Sequence, residues 1–221
     1  MELELENLLG FAENVGKDIY AFAMNYFYFL VIVVILILAI YTAKKIRRIL
    51  LVKILERECI KKKGTVSSKK EIYMTYKYGK VPIKVCFCKR GGHQPTRTEI
   101  TCELKLKKNV LFMIKRRGFR TTIDYRKLKP IHWKGIDELY EVRGNDEYFM
   151  VKLLDDNLKG KIFMLRDKIM QISLTGSVYD KHELKIIIRG IIKREEEFKR
   201  IFDLVEFLIN RVREPSLIPI G

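Results

Sequence analysis

Glutamine is almost missing from this chain: Gln94 and Gln171 are the only two among 221 residues, against many Lys, Glu and Ile. Few amides beside abundant Lys and Glu is a bias of heat-stable proteins. An AT-rich genome produces the same usage, so no function is inferred from it. Cysteine is scarce as well. Four residues, Cys59, Cys86, Cys88 and Cys102, do not make a secreted disulfide framework in a chain of this length. They fit a reducing compartment or buried thiols. The same scarcity disfavours a zinc centre. Zinc takes four thiolate or imidazole ligands, usually in paired knuckles, and Cys86-x-Cys88 with His93 and Cys102 has no second pair. Strand alternation adds to this. If Val85 and Phe87 share a core face with Ile100 and Cys102, then Cys86 and Cys88 point the other way, which also disfavours a Cys86–Cys102 disulfide.

Catalytic patterns are missing too. Gly91-Gly92-His93-Gln94-Pro95 is followed by no Lys-Ser or Lys-Thr and by no helix start, so it is not a phosphate-binding loop. The acids Asp137-Glu138, Asp155-Asp156 and Glu195-Glu196-Glu197 fall beside expected helices, where carboxylates solvate a face or favour an N-terminus. No Ser, His and Asp grouping stands out. The reading is of a non-enzymatic protein with no catalytic residues, no metal ligands and no cofactor.

The most informative absence is of charge. Ile19 to Ala43 is a run of twenty-five residues without a charged side chain. At about 1.5 Å per residue a helix of that length reaches roughly 37 Å, against about 30 Å for a bilayer core. The stretch is expected to be a transmembrane helix. Tyr26 to Phe29 at its start and Tyr41 at its end suit the two membrane interfaces. It does not read as a cleaved signal peptide, because the preceding segment is acidic and no small-x-small cleavage site follows. Lys44, Lys45, Arg47 and Arg48 follow at once, whereas Lys17 alone precedes it. The excess of bases predicts a cytoplasmic C-terminal side, an N-terminus outside, and a single-pass protein of the cell membrane. Those four bases set topology and also lie where anionic lipid headgroups are met.

Charge is divided accordingly. Residues 1–43 hold one base and five acids, net −4, which leaves +21 of the total +17 for the remainder. Such a domain points to an anionic partner. Residues 1–18 form a short acidic segment, 44–63 a basic juxtamembrane helix, 64–213 a domain, and 214–221 a loose tail, with Gly64 to Ser68 as a linker.

Within the domain the hydrophobic period is two over Ile72–Tyr78, Val81–Cys88 and Ile100–Leu106, which predicts an antiparallel meander. Asn109–Lys115 and Phe119–Tyr125 are expected as further strands joined tightly through Arg116, Arg117 and Gly118. Asn145 or Asp146 is expected to cap a helix running to about Asn157, and Lys168–Thr175 to be a strand. A long amphipathic C-terminal helix is expected from Asp180 to Arg213, bent at Gly190, on the spacing of Leu184, Ile187, Ile188, Ile191, Phe198 and the apolar residues after them. The fold class is α+β, with one transmembrane helix ahead of an antiparallel sheet.

One soluble feature rises above the background. Between Lys105 and Lys134, Lys115, Arg116, Arg117, Arg120, Arg126, Lys127 and Lys129 are interleaved with Phe112, Phe119, Tyr125 and Trp133. Bases neutralise phosphates and aromatic faces stack on nucleobases. Aromatics at alternating strand positions equally describe a core, with the bases as its solvated face. Two functions follow. The first is a membrane-anchored interaction protein that contacts lipid headgroups, a protein partner or its own copies through the C-terminal helix. The second is a membrane-tethered nucleic-acid-binding protein using the basic stretch.

Overall fold

A computed structural model describes residues 2–68, 71–88, 97–106, 109–121, 125, 127–176 and 181–214, with the backbone alone for 2–21 and 23. The chain divides into two compact units, Met1–Leu50 and Leu51–Gly221.

The first unit is helical throughout its described residues and belongs to α1, Glu2–Lys62. From Met24 onward α1 is long and apolar enough to cross a membrane, and none of its most apolar window is buried. Phe29, Ile32, Ile35, Leu36 and Ile40 are among the exposed side chains. A helix apolar on all sides has no soluble core to face, and its backbone is satisfied internally, as a bilayer requires. This unit fits a membrane anchor.

The second unit is α+β. Among its described residues nine strands form one antiparallel sheet: β1 (Thr65–Ser67), β2 (Ile72–Tyr78), β3 (Val81–Cys88), β4 (Arg97–Lys105), β5 (Phe112–Arg116), β6 (Lys129–Pro130), β7 (Tyr140–Gly144), β8 (Ile169–Gly176) and β9 (Lys181–Arg189). Their order across the sheet is β1-β2-β3-β4-β9-β8-β5-β7-β6. Three helices accompany them: α2 (Glu147–Leu153), α3 (Asp156–Met164) and α4 (Glu195–Arg213). One face of the sheet carries the core. Ile83, Val85, Ile100, Leu104, Phe112, Ile114, Ile172, Leu174, Leu184 and Ile186 are buried there with Phe198, Phe202, Val205 and Leu208 of α4. The Phe202 ring meets Tyr76 edge-on, with centroids 5.2 Å apart.

The end of α1 belongs to this core. Leu51, Leu55 and Cys59 are buried in it, so the compact unit starts ahead of the domain boundary expected at residue 64. Lys63, at φ 51°, then closes the helix in the left-handed conformation. Its N–H donates to Ile60 O, and the Gly64 N–H donates to Cys59 O. This is a Schellman ending. A Cβ on Gly64 would stand 2.3 Å from Thr75 O, so only glycine lets β1 begin beside β2.

The meander β2-β3-β4 has the expected alternation, with Val85 opposite Ile100 and Ile83 opposite Cys102. All four cysteines are free. Five expectations need correction. The helix from Asp180 does not form: Lys181–Arg189 is strand β9, and the helix runs only from Glu195 to Arg213. Leu184, Ile187 and Ile188 fit a helical stripe, but the β-branched run Ile186-Ile187-Ile188 pairs on both sides, with β4 and β8. Asp180 itself lies outside the described residues. The linker at Gly64–Ser68 contains β1. The described residues of Phe119–Tyr125 belong to no strand; β5 pairs instead with β7, reached after a turn at Gly118 of φ +79°. The helix capped by Asp146 ends at Leu153, because Asp155 accepts from the Leu158 N–H and starts α3. The strand expected at Asn109–Lys115 begins only at Phe112. The Gly91–Pro95 loop and residues 215–221 fall outside the described residues.

Candidate functional site: the polar face of the sheet

Alternation turns every second residue of these strands away from the core. Register then gathers them into rows. One row runs Ser67, Tyr73, Cys86, Glu99, Ile187, Gln171, Lys115, Glu141 from β1 to β7. The next runs Thr65, Thr75, Lys84, Thr101, Lys185, Ser173, Met113, Arg143. An antiparallel sheet with helices on one face commonly solvates the other. Here the middle of the second face is buried: Cys86, Ile187, Met113, Gln171, Ser173 and Lys115 are all inaccessible. Met113, Cys86 and Ile187 do not belong to the main core cluster.

Two charge groups flank that strip. In the first, Glu99 accepts from Arg97 and Lys185, the latter at 2.8 Å. Burial pushes the Glu99 carboxyl up, but Lys185 and Arg97 outweigh it and hold it below the usual carboxylate range. In the second, Glu141 accepts from Arg143 Nε at 2.6 Å and from Lys115 Nζ at 3.1 Å. The Arg143 hydrogen bond is the main cause of the lowered Glu141 carboxyl. Lys115 also donates to Tyr125 Oη at 3.0 Å and sits 4.5 Å from the centre of that ring. Burial lowers the Lys115 ammonium, and the bonds to Tyr125 and Glu141 more than offset it, so its pKa lies above that of ordinary lysine. Each group holds two bases to one acid and carries a net +1.

Between them Gln171 Nε2 donates to Ser173 Oγ at 3.0 Å, and Gln171 Oε1 is buried without a partner among the described residues. His132 is exposed 3.8 Å from Asp137, and His182 lies on the opposite face of the sheet. Among the described residues no group of three or more His, Cys, Asp or Glu side chains is disposed to hold a metal. The face can neutralise negative charge and accept hydrogen bonds.

Against this geometry the basic stretch divides. Lys115 is buried and paired on the polar face, while Arg116, one residue on, points the other way and donates to Arg166 O at 2.9 Å. Arg117 donates to Asp137 O at 2.6 Å. Arg120, Lys127 and Lys129 are exposed, and Arg126 lies outside the described residues. Among the aromatics Phe112 and Trp133 are buried in the core and Phe119 is half-buried. Tyr125 lies against Lys115 and Arg143. In α4 the apolar stripe from Phe198 to Val212 is buried in the domain's own core. Lys44, Lys45, Arg47 and Arg48 are exposed on α1.

No family model matches this chain, and no curated protein matches it. Physical placement therefore carries the functional reading. Arg97, Glu99, Glu141, Arg143, Gln171, Ser173 and Lys185 went unmarked in the sequence. Their signal was the non-core parity of each strand, and in Gln171 and Ser173 a pair of polar residues within an otherwise apolar strand.

Proposed function

We propose that the protein is a single-pass, non-enzymatic anchor of the cell membrane that holds a basic interaction domain at the cytoplasmic surface. One observation carries the reading: an apolar, unburied stretch of α1 followed directly by the exposed bases Lys44, Lys45, Arg47 and Arg48. Such an excess sits on the cytoplasmic side, where each base near anionic lipid contributes about 1 kcal/mol. The acidic N-terminal segment is then outside. Charge rather than the apolar stripe of α4 is the contact chemistry of this reading, because α4 packs that stripe inward. Its partners are anionic headgroups or an acidic protein surface.

The alternative, a membrane-tethered nucleic-acid-binding protein, draws less support. Lys115 is engaged by Glu141 and Tyr125, Arg116 and Arg117 donate to backbone carbonyls, and Phe112 and Trp133 are buried away from stacking. The full chain in zwitterionic nanodiscs separates the two. Labelled DNA and RNA oligonucleotides, followed by anisotropy across salt, are expected to show no binding beyond that of a generic basic surface. A steep loss of affinity with salt, flattened by Arg120→Ala, Lys127→Ala and Lys129→Ala together, would establish the nucleic-acid reading instead.

A further inference from the structure

Cys86 and Cys88 share the polar face of β3, and their Sγ atoms stand 3.2 Å apart. The chemistry open to such a pair is set by the strand. At about 3.3 Å per residue, side chains two apart leave the backbone roughly 6.6 Å from each other. A disulfide needs Cβ atoms about 3.5–4.5 Å apart. Closing it here would buckle β3, which is paired on both sides, Cys86 between Tyr73 and Glu99 and Cys88 opposite Arg97. The thiols lean together but are kept from oxidising to a ring. A bridging metal has no such difficulty. Two metal–sulfur bonds of about 2.3 Å span up to about 4.6 Å, reached by side-chain rotation alone.

The surroundings select the metal. Among the described residues a further oxygen ligand is Glu71, whose Oε2 is 3.7 Å from Cys86 Sγ. Two soft sulfurs that belong to no group of three or more His, Cys, Asp or Glu ligands among the described residues suit a soft monovalent ion rather than zinc. We propose that Cys86 and Cys88 form a two-thiolate site for copper(I). On binding, two S–H bonds break, two Cu–S bonds form, two protons pass to solvent, and no atom changes oxidation state. The product carries −1, in surroundings that hold the carboxylates Glu71 and Glu99 as well as the bases Lys84 and Arg97. Cys88 is half-exposed at the end of β3 and offers access from solvent. Cys59 and Cys102 are ordinary core thiols; burial raises both, Cys102 to about 12.

The test is anaerobic titration of the reduced full chain, in detergent micelles, with copper(I) buffered by the chromophoric chelator bathocuproine disulfonate. One copper(I) per chain is expected to be withdrawn from the chelator. Cys88→Ser should weaken binding by more than the about 10–100-fold of an outer-shell change. Cys86→Ser should do the same, and Cys59→Ala and Cys102→Ala should leave it unchanged. Because Cys86 is buried, Cys88→Ser decides the matter if Cys86→Ser fails to fold, with Trp133 emission reporting the fold of each variant. Undiminished affinity in Cys88→Ser, no competition by the wild type, or one-for-one displacement of copper(I) by zinc would overturn the site. So would ready loss of two hydrogens from the Cys86–Cys88 peptide with a small-molecule disulfide, because the strand geometry would then permit the ring.

Discussion

Removing the last turns of α1 should unfold the domain that follows. Leu55 has no exposed surface, and Leu51 and Cys59 are buried beside it. Fully burying a leucine contributes about 1.5–3 kcal/mol, so two leucines and a thiol together supply about 4–7 kcal/mol. A domain is stable by about 5–15 kcal/mol in total. Of the ion pairs lost with the same turns, Lys62–Glu206 is partly exposed and adds about 1 kcal/mol or less, and Lys61–Glu195 is open to solvent and screened. A fragment 64–221 is therefore expected to be marginal or unfolded, whereas 51–221 should fold. In the full chain Leu55→Ala alone should cost about 2–5 kcal/mol. The single tryptophan, Trp133, is buried and reports unfolding by its emission. Urea titrations of the two fragments, with the full-chain variant in micelles, give the comparison. The reasoning fails if 64–221 matches 51–221 in stability, or if Leu55→Ala costs less than about 1 kcal/mol.

Two further outcomes follow from local geometry. Lys63→Gly should be neutral or stabilise by up to about 1 kcal/mol, since the left-handed conformation costs about 1–2 kcal/mol and a glycine adds about 0.5–1 kcal/mol of chain entropy. Gly64→Ala should destabilise strongly, because its Cβ would stand 2.3 Å from Thr75 O; equal urea midpoints for the two variants would contradict the Schellman ending. Glu99 provides a pH test. Its folded pKa is depressed, so its contribution is complete above the unfolded glutamate value of about 4.3 and is lost as pH falls through the lower folded value. Glu99→Gln should be less stable than wild type at neutral pH and show a flatter acid limb in urea midpoints between pH 6 and pH 2, whereas parallel curves would mean that Glu99 carries no such linkage.

What could be read in advance depended on the range over which each signal acts. The long apolar helix was legible because absence of charge over Ile19–Ala43 is a local property. So were β2, β3 and β4, whose alternation is strict and whose first turn, at Gly79-Lys80, is marked by a glycine at φ +57°. Strand β9 was illegible because Leu184, Ile187 and Ile188 satisfy both periods, and only pairing with β4 and β8 decides between them. Helix α3 was hidden by a second cap: Asp155 serves the Leu158 N–H and also receives Arg211 from α4. Strands β1 and β6, three and two residues long, carry no readable period. For the polar face, parity placed Cys86 and Lys115 off the core, but nothing local brings Glu99, Gln171 and Glu141 into one row. That row exists because β9 and β8 insert between β4 and β5, a long-range pairing with no local signature.

The membrane anchor and its orientation are tested most directly by protease protection. Cells expressing the full chain with a C-terminal epitope are converted to spheroplasts and, separately, to inverted membrane vesicles, and both are washed with alkaline carbonate. The account predicts that the chain stays in the membrane pellet, that the epitope resists protease in spheroplasts, and that it is lost in inverted vesicles. Release of the chain by carbonate, or digestion of the epitope in intact spheroplasts, would contradict it.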